Sequence, residues 1–99
     1  MLVAFSVAPA TADDSGSMSA AVAAAVRVVR ESGLPHETNA MFTNVEGEWD
    51  EVMAVVKAAT MAVAAASPRV SLVLKADLRE GHSDALRAKV ESVERHLQT

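Results

Sequence analysis

The chain contains no cysteine. Disulfides, and zinc or iron–sulfur sites built on thiolates, are therefore excluded. Aromatic residues are almost as scarce, with two phenylalanines and one tryptophan. Three rings do not make a base-stacking platform, and no lysine–arginine cluster is dense enough to track a phosphate backbone. Nucleic acid is not an expected partner. Long apolar runs are missing too. Serine and threonine interrupt each hydrophobic stretch well before the ~20 residues that a membrane-spanning helix needs. The opening "MLVAFSVAPA" lacks the basic flank of a secretory leader, and its alternation suits a strand. A cytoplasmic protein with no membrane partner is expected. His36, His82 and His96 fall on different predicted elements, so no metal site is expected.

What the chain does have is small apolar side chains. Half of its 99 residues are hydrophobic, mostly alanine and valine. The length suits one domain spanning residues 1–99. A core of valine and alanine buries less area per residue than one of leucine and phenylalanine, at roughly 25 cal/mol per Å². Small domains commonly make up such a deficit by associating, so a homo-oligomer is expected. The net charge of −4 fits a small cationic ligand as well as ordinary solubility.

Hydrophobic periodicity divides the chain into seven elements. Leu2 to Ala8 alternates as a strand and meets Pro9. "ATADDSGSMS" reads as a polar loop, with Ser17 or Ser19 capping the helix that follows. Val22, Val26 and Val29 mark that helix's buried stripe, and Gly33 and Pro35 stop it. A weaker strand over 36–42 and another over 43–48 precede the clearest helix, 49–66. Residues 69–78, "RVSLVLKADL", alternate most cleanly of all. A final amphipathic helix carries Leu86, Val90, Val93 and Leu97, capped by Ser83 or Asp84.

The order β-α-β-β-α-β-α contains two βαβ halves. Its compact solution is an α+β, ferredoxin-like βαββαβ sandwich with an extra C-terminal helix. Strands 1 and 3 are then central, and both long helices cover one sheet face. If Val3, Phe5, Val7, Val45, Val70, Leu72 and Leu74 face the helices, the open face carries Ala4, Ser6, Glu46, Lys75 and Asp77. Glu46 and Lys75 should lie roughly 10 Å apart across strand 1, over a floor of Ala4 and Ser6. A second subunit would roof this space. Glu48, Asp50 and Glu51 are expected to start the second helix, where acids complement the macrodipole.

In combination, "AVRVVRESGLPHE", "MFTNVEGEWDEVMAVVKAA", "RVSLVLKADLR" and "KVESVERHL" resemble the small thiamine-binding protein family over nearly the whole chain. The resemblance implies sheet-to-sheet homodimers or homotetramers. It also implies non-catalytic binding of thiamine or its hydroxymethylpyrimidine moiety near subunit interfaces, with no cofactor required. The polar positions it carries over are Ser19, Thr43, Glu46, Lys75 and Asp77. For such a ligand Glu46 or Asp77 would meet the thiazolium cation or the exocyclic amine. Ser6, Thr43 or Lys75 would donate to a ring nitrogen. Phe42 or Trp49 would stack on the ligand, although helix packing is the simpler role for Trp49. Arg79 is expected to bind carboxylates at a subunit boundary.

The chain departs from the family's pattern at three places. Pro9-Ala10-Thr11 stands for Pro-Leu-Gly, Met41-Phe42-Thr43 for Met-Gly-Thr, and Ala76-Asp77-Leu78-Arg79 for Ile-Asp-Asp-Arg. The alternatives are a small cofactor-free enzyme of the same shape, of monooxygenase or isomerase type, and a diverged structural or regulatory oligomer.

Overall fold

A computed structural model of the chain describes residues 1–10, 18–81 and 83–98. The elements follow in the expected order: β1 (Leu2–Pro9), α1 (Ser19–Glu31), β2 (His36–Thr38), β3 (Thr43–Glu46), α2 (Trp49–Ala64), β4 (Val70–Asp77) and α3 (Ala85–Leu97). All strand pairs are antiparallel, and the sheet order is β2-β3-β1-β4. This is the ferredoxin-like arrangement, with β1 and β3 central.

Alternation along β1 sets the two faces. Val3, Phe5 and Val7 are buried, whereas Leu2, Ala4, Ser6 and Ala8 are half-buried. Beneath α1 and α2 the core gathers Val3, Phe5, Val45, Ala25, Val29, Val52, Val56, Ala59 and Val63. Valine suits both sides of this interface, because its branched Cβ packs well on a pleated surface and still fits a helix face.

Several boundaries and contacts differ from the sequence expectation. β2 ends at Thr38, because Asn39 turns the chain. Its Oδ1 accepts hydrogen bonds from the Met41 and Phe42 amides, both at 2.9 Å. α2 stops at Ala64, two residues early. Met18, rather than a serine, holds the cap position of α1, and Ser19 is the helix's first residue. Ser17, the other expected cap, lies outside the described residues, as do Asp13, Asp14 and Ser15. The α1 stripe is also rotated. Ala25 and Val29 are buried, with Ala21 and Val28 beside them, while Val22 is 42% exposed. Gly33 ends α1 as expected, in the left-handed region at φ +78°.

α3 is built differently from the other two helices. None of its residues is buried. It lies against the end of β3 on the sheet face that α1 and α2 leave open. Its apolar stripe points largely away from the body, with Val90 and Val93 each 59% exposed and Leu97 72% exposed.

Candidate functional site

Register decides which polar residues meet on the open face. Leu2 lies opposite Glu46 on one side and Asp77 on the other. Ala4 lies opposite Asn44 and Lys75. The two carboxylates thus flank one residue of β1, in a row next to the row that holds Lys75. Glu46 and Lys75 share this face, as expected, and form no ion pair with each other.

Glu46 is committed elsewhere. Its carboxylate accepts hydrogen bonds from the backbone N–H groups of Ala85, at 2.7 Å, and Leu86, at 3.2 Å. It is buried, at 7% exposure. The carboxylate therefore caps α3 across a sequence gap of 39 residues, satisfying two of the donors that every helix N-terminus leaves open. The expected local cap is displaced. Asp84 occupies the cap position with φ 59° and makes no side-chain cap bond. Asp77 is also committed, through an ion pair with Lys89 of α3. That hydrogen bond and the nearby ammonium charge hold the Asp77 carboxyl below its ordinary value. The two anchors are unequal. The Lys89–Asp77 pair is roughly half exposed, where water and salt weaken the attraction. Hydrogen bonds to a buried charged acceptor are worth about 1.5–3 kcal/mol each. Glu46 is the main anchor of α3.

Between α3 and the sheet lies a cleft of about 580 Å³. That is within the roughly 300–1,000 Å³ range of small-molecule sites. Its charged lining comprises Glu46, Asp77, Arg79, Lys89 and Arg95. Arg79 stands two residues beyond β4, at this end of the sheet, and lines the cleft without an ion pair to a described carboxylate of its own chain. Arg95 and Lys89 were not singled out from sequence. The only available signal was that Lys89, Ser92 and Arg95 fall on one side of the last helix, next to its apolar stripe.

The other expected ligand residues scatter. Ser6, Phe42 and Thr43 line a smaller pocket of about 130 Å³ at the opposite end of the sheet, beside Val22 and Met41. Thr43 does not share the open face. It pairs with Phe5, is buried toward the helices, and its Oγ1 lies 3.4 Å from that of Thr38. Ser19 is exposed at the start of α1. Lys75 is exposed in the middle of β4 and lines neither cavity. Trp49 opens α2 and is 52% exposed, so it is neither a packed anchor nor part of either cavity. The acids around it do start the helix. Asp50 and Glu51 occupy the first turn, and the Glu48 amide donates to Glu51 Oε1 at 3.4 Å. Among the described residues no acid–histidine group could hold a metal ion, and no helix is long and apolar enough to cross a membrane.

A four-stranded ferredoxin-like sheet, helices on one face and a ligand-sized cleft on the other define a small α+β protein with a binding-type site. Comparison with known proteins makes the class specific. The sequence matches the profile of the thiamine-binding protein family over residues 3–94. A UPF0045 protein of Mycobacterium bovis is 54% identical over 98 residues, covering 98% of this chain and 94% of the relative. The fold is shared with a hypothetical protein of Methanocaldococcus jannascii, at 30% identity and a TM-score of 0.84 over 94% of each chain. It is also shared with a Thermotoga maritima protein whose assignment to thiamine biosynthesis or salvage is provisional. That match has 25% identity and a TM-score of 0.76, over 91% of this chain and 96% of the other. The chain belongs to the thiamine-binding protein family.

Proposed function

We propose that this protein binds thiamine, or its hydroxymethylpyrimidine moiety, without catalysis, in the cleft between α3 and the sheet. The observation that carries this reading is the family match over residues 3–94. The cleft supports it with a volume suited to one such ligand and with two carboxylates in one register row, Glu46 and Asp77. Negative charge near the floor suits the thiazolium, while Leu2 and Val93 offer apolar contact to the rings. No cofactor takes part in this reading, and the protein acts in the cytoplasm.

A second copy of the chain is the proposed partner. The open sheet face and α3 expose Val73, Val90, Val93 and Leu97, each more than half accessible. Covering apolar surface of this kind contributes roughly 25 cal/mol per Å².

Isothermal titration calorimetry with thiamine, then with hydroxymethylpyrimidine, tests the ligand. Saturable binding of about one ligand per subunit is expected, and Asp77→Asn should weaken it. Absence of heat with both ligands at two temperatures would sink the assignment. Sedimentation velocity on the same sample tests the partner, and a monomer at micromolar concentration would exclude it.

A further inference from the structure

Hydrogen-bond accounting in the cleft points beyond free thiamine. Both carboxylates are already engaged. Glu46 accepts from two α3 amides and Asp77 pairs with Lys89. Neither Arg79 nor Arg95 forms a hydrogen bond or ion pair with a described residue, although the Arg79 charge reaches the Asp77 carboxyl. The uncommitted polar side chains of the lining are therefore mainly donors: two guanidiniums, joined by the Ser83 and Ser92 hydroxyls. Three cationic side chains against two carboxylates leave the lining at +1, on a chain whose net charge is −4. The cleft is a basic spot on an acidic protein.

A ligand that is only a cation can use the carboxylate row but leaves these donors without an acceptor. A ligand that carries an anion as well as the thiazolium matches it better. The fork of a guanidinium fits phosphate oxygens in paired hydrogen bonds. A phosphomonoester carries about −1.5 to −2 charge at neutral pH, which more than offsets a thiazolium. Arg95 sits in the last turn of α3, where the helix dipole favours positive charge, so its guanidinium is stably placed without a partner.

We propose that the cleft takes the phosphate monoester of its thiamine-type ligand, with Arg79 and Arg95 holding the phosphate and the Glu46–Asp77 row facing the cationic ring. This rests on the binding reading above and narrows its ligand class.

Calorimetry at fixed ionic strength, with thiamine, thiamine monophosphate and inorganic phosphate as separate titrants, tests it. The ester is expected to bind about tenfold or more tighter than thiamine, as charge-assisted contacts to phosphate allow. Arg79→Gln and Arg95→Gln should each collapse the ester-to-thiamine affinity ratio toward one. Arg79→Lys should keep part of it, because charge survives without the fork. Both arginines are exposed, so the variants should fold, and circular dichroism checks that they do. A wild-type ratio of one or less overturns the proposal, as does a ratio unmoved by the glutamine variants. Inorganic phosphate binding as tightly as the ester also overturns it, because ring and phosphate would then not be read together. Thiamine binding without preference refutes this inference alone. Failure of both organic ligands refutes the binding reading as well.

Discussion

Replacing Glu46 by glutamine should loosen α3 while sparing the rest of the molecule. The carboxylate accepts two backbone N–H groups, at 2.7 and 3.2 Å, from a position only 7% exposed. The amide keeps one oxygen acceptor but loses the charge, and its NH₂ faces an N–H that it cannot satisfy. Bonds to a charged acceptor are worth about 1.5–3 kcal/mol and neutral ones about 1, so the change should cost about 2 kcal/mol of α3 docking. At 1.4 kcal/mol per decade, that is roughly a 30-fold rise in opening of the helix. No residue of α3 is buried, so little apolar burial resists this opening. Hydrogen exchange followed by mass spectrometry reads the effect directly. Amides in the 86–98 segment should lose protection by about that factor, while those of α1 and α2 should keep theirs. Unchanged protection in α3 would refute the claim that Glu46 anchors it. So would a loss spread evenly over all three helices.

Three further outcomes follow from the same structure. Lys89 holds the Asp77 carboxyl below its ordinary value near 3.8, so the pair's stabilisation is complete above the ordinary carboxylate range. It is lost as pH falls through the lowered folded value, and melting curves of wild type and Asp77→Asn should differ at neutral pH and converge in acid. Val29→Ala removes two methyl groups from a site with no exposure and should cost about 2–3 kcal/mol in urea denaturation. A cost under about 0.5 kcal/mol would contradict the packing described. Gly33→Ala meets no atom within 4 Å but must hold φ +78°, so it should cost about 1 kcal/mol by backbone strain alone. A neutral result in thermal melts would show that the α1 terminus relaxes.

Much of the architecture was legible because it rests on local periodicity. Val3, Phe5 and Val7 alternate, Val52, Val56, Ala59 and Val63 follow the helical period, and both patterns put the expected residues in the core. The face assignments of Glu46, Lys75 and Asp77 also held, because strand parity follows from pattern once one buried residue is known. Thr43 shows the limit of reading a polar residue as a ligand contact. Its parity with Val45 turned it inward, whatever its hydroxyl suggested. Val22 shows another. Valine and alanine crowd most sides of α1, so apolar spacing alone could not choose the buried stripe.

The candidate site was legible only in part, for a physical reason. Which carboxylate is free depends on contacts between residues far apart in the chain. Glu46 meets Ala85 because the segment after β4 returns the chain to the β3 end of the sheet, and nothing in the composition of that segment encodes the return. The carboxylates that looked available from sequence are the ones α3 occupies, and Arg79 and Arg95 line the cleft without an ion pair to a described residue.

The sequence by itself therefore determined the element order, the two-faced sheet and most of the core, since these follow from short-range periodicity and burial of apolar area, and the sheet order followed from the compact packing of two βαβ halves. Only the tertiary structure decided where α3 lies, which charges it neutralises and which it leaves for a ligand. Those choices rest on hydrogen bonds and ion pairs between residues distant in sequence, which form only where the fold brings the groups within reach.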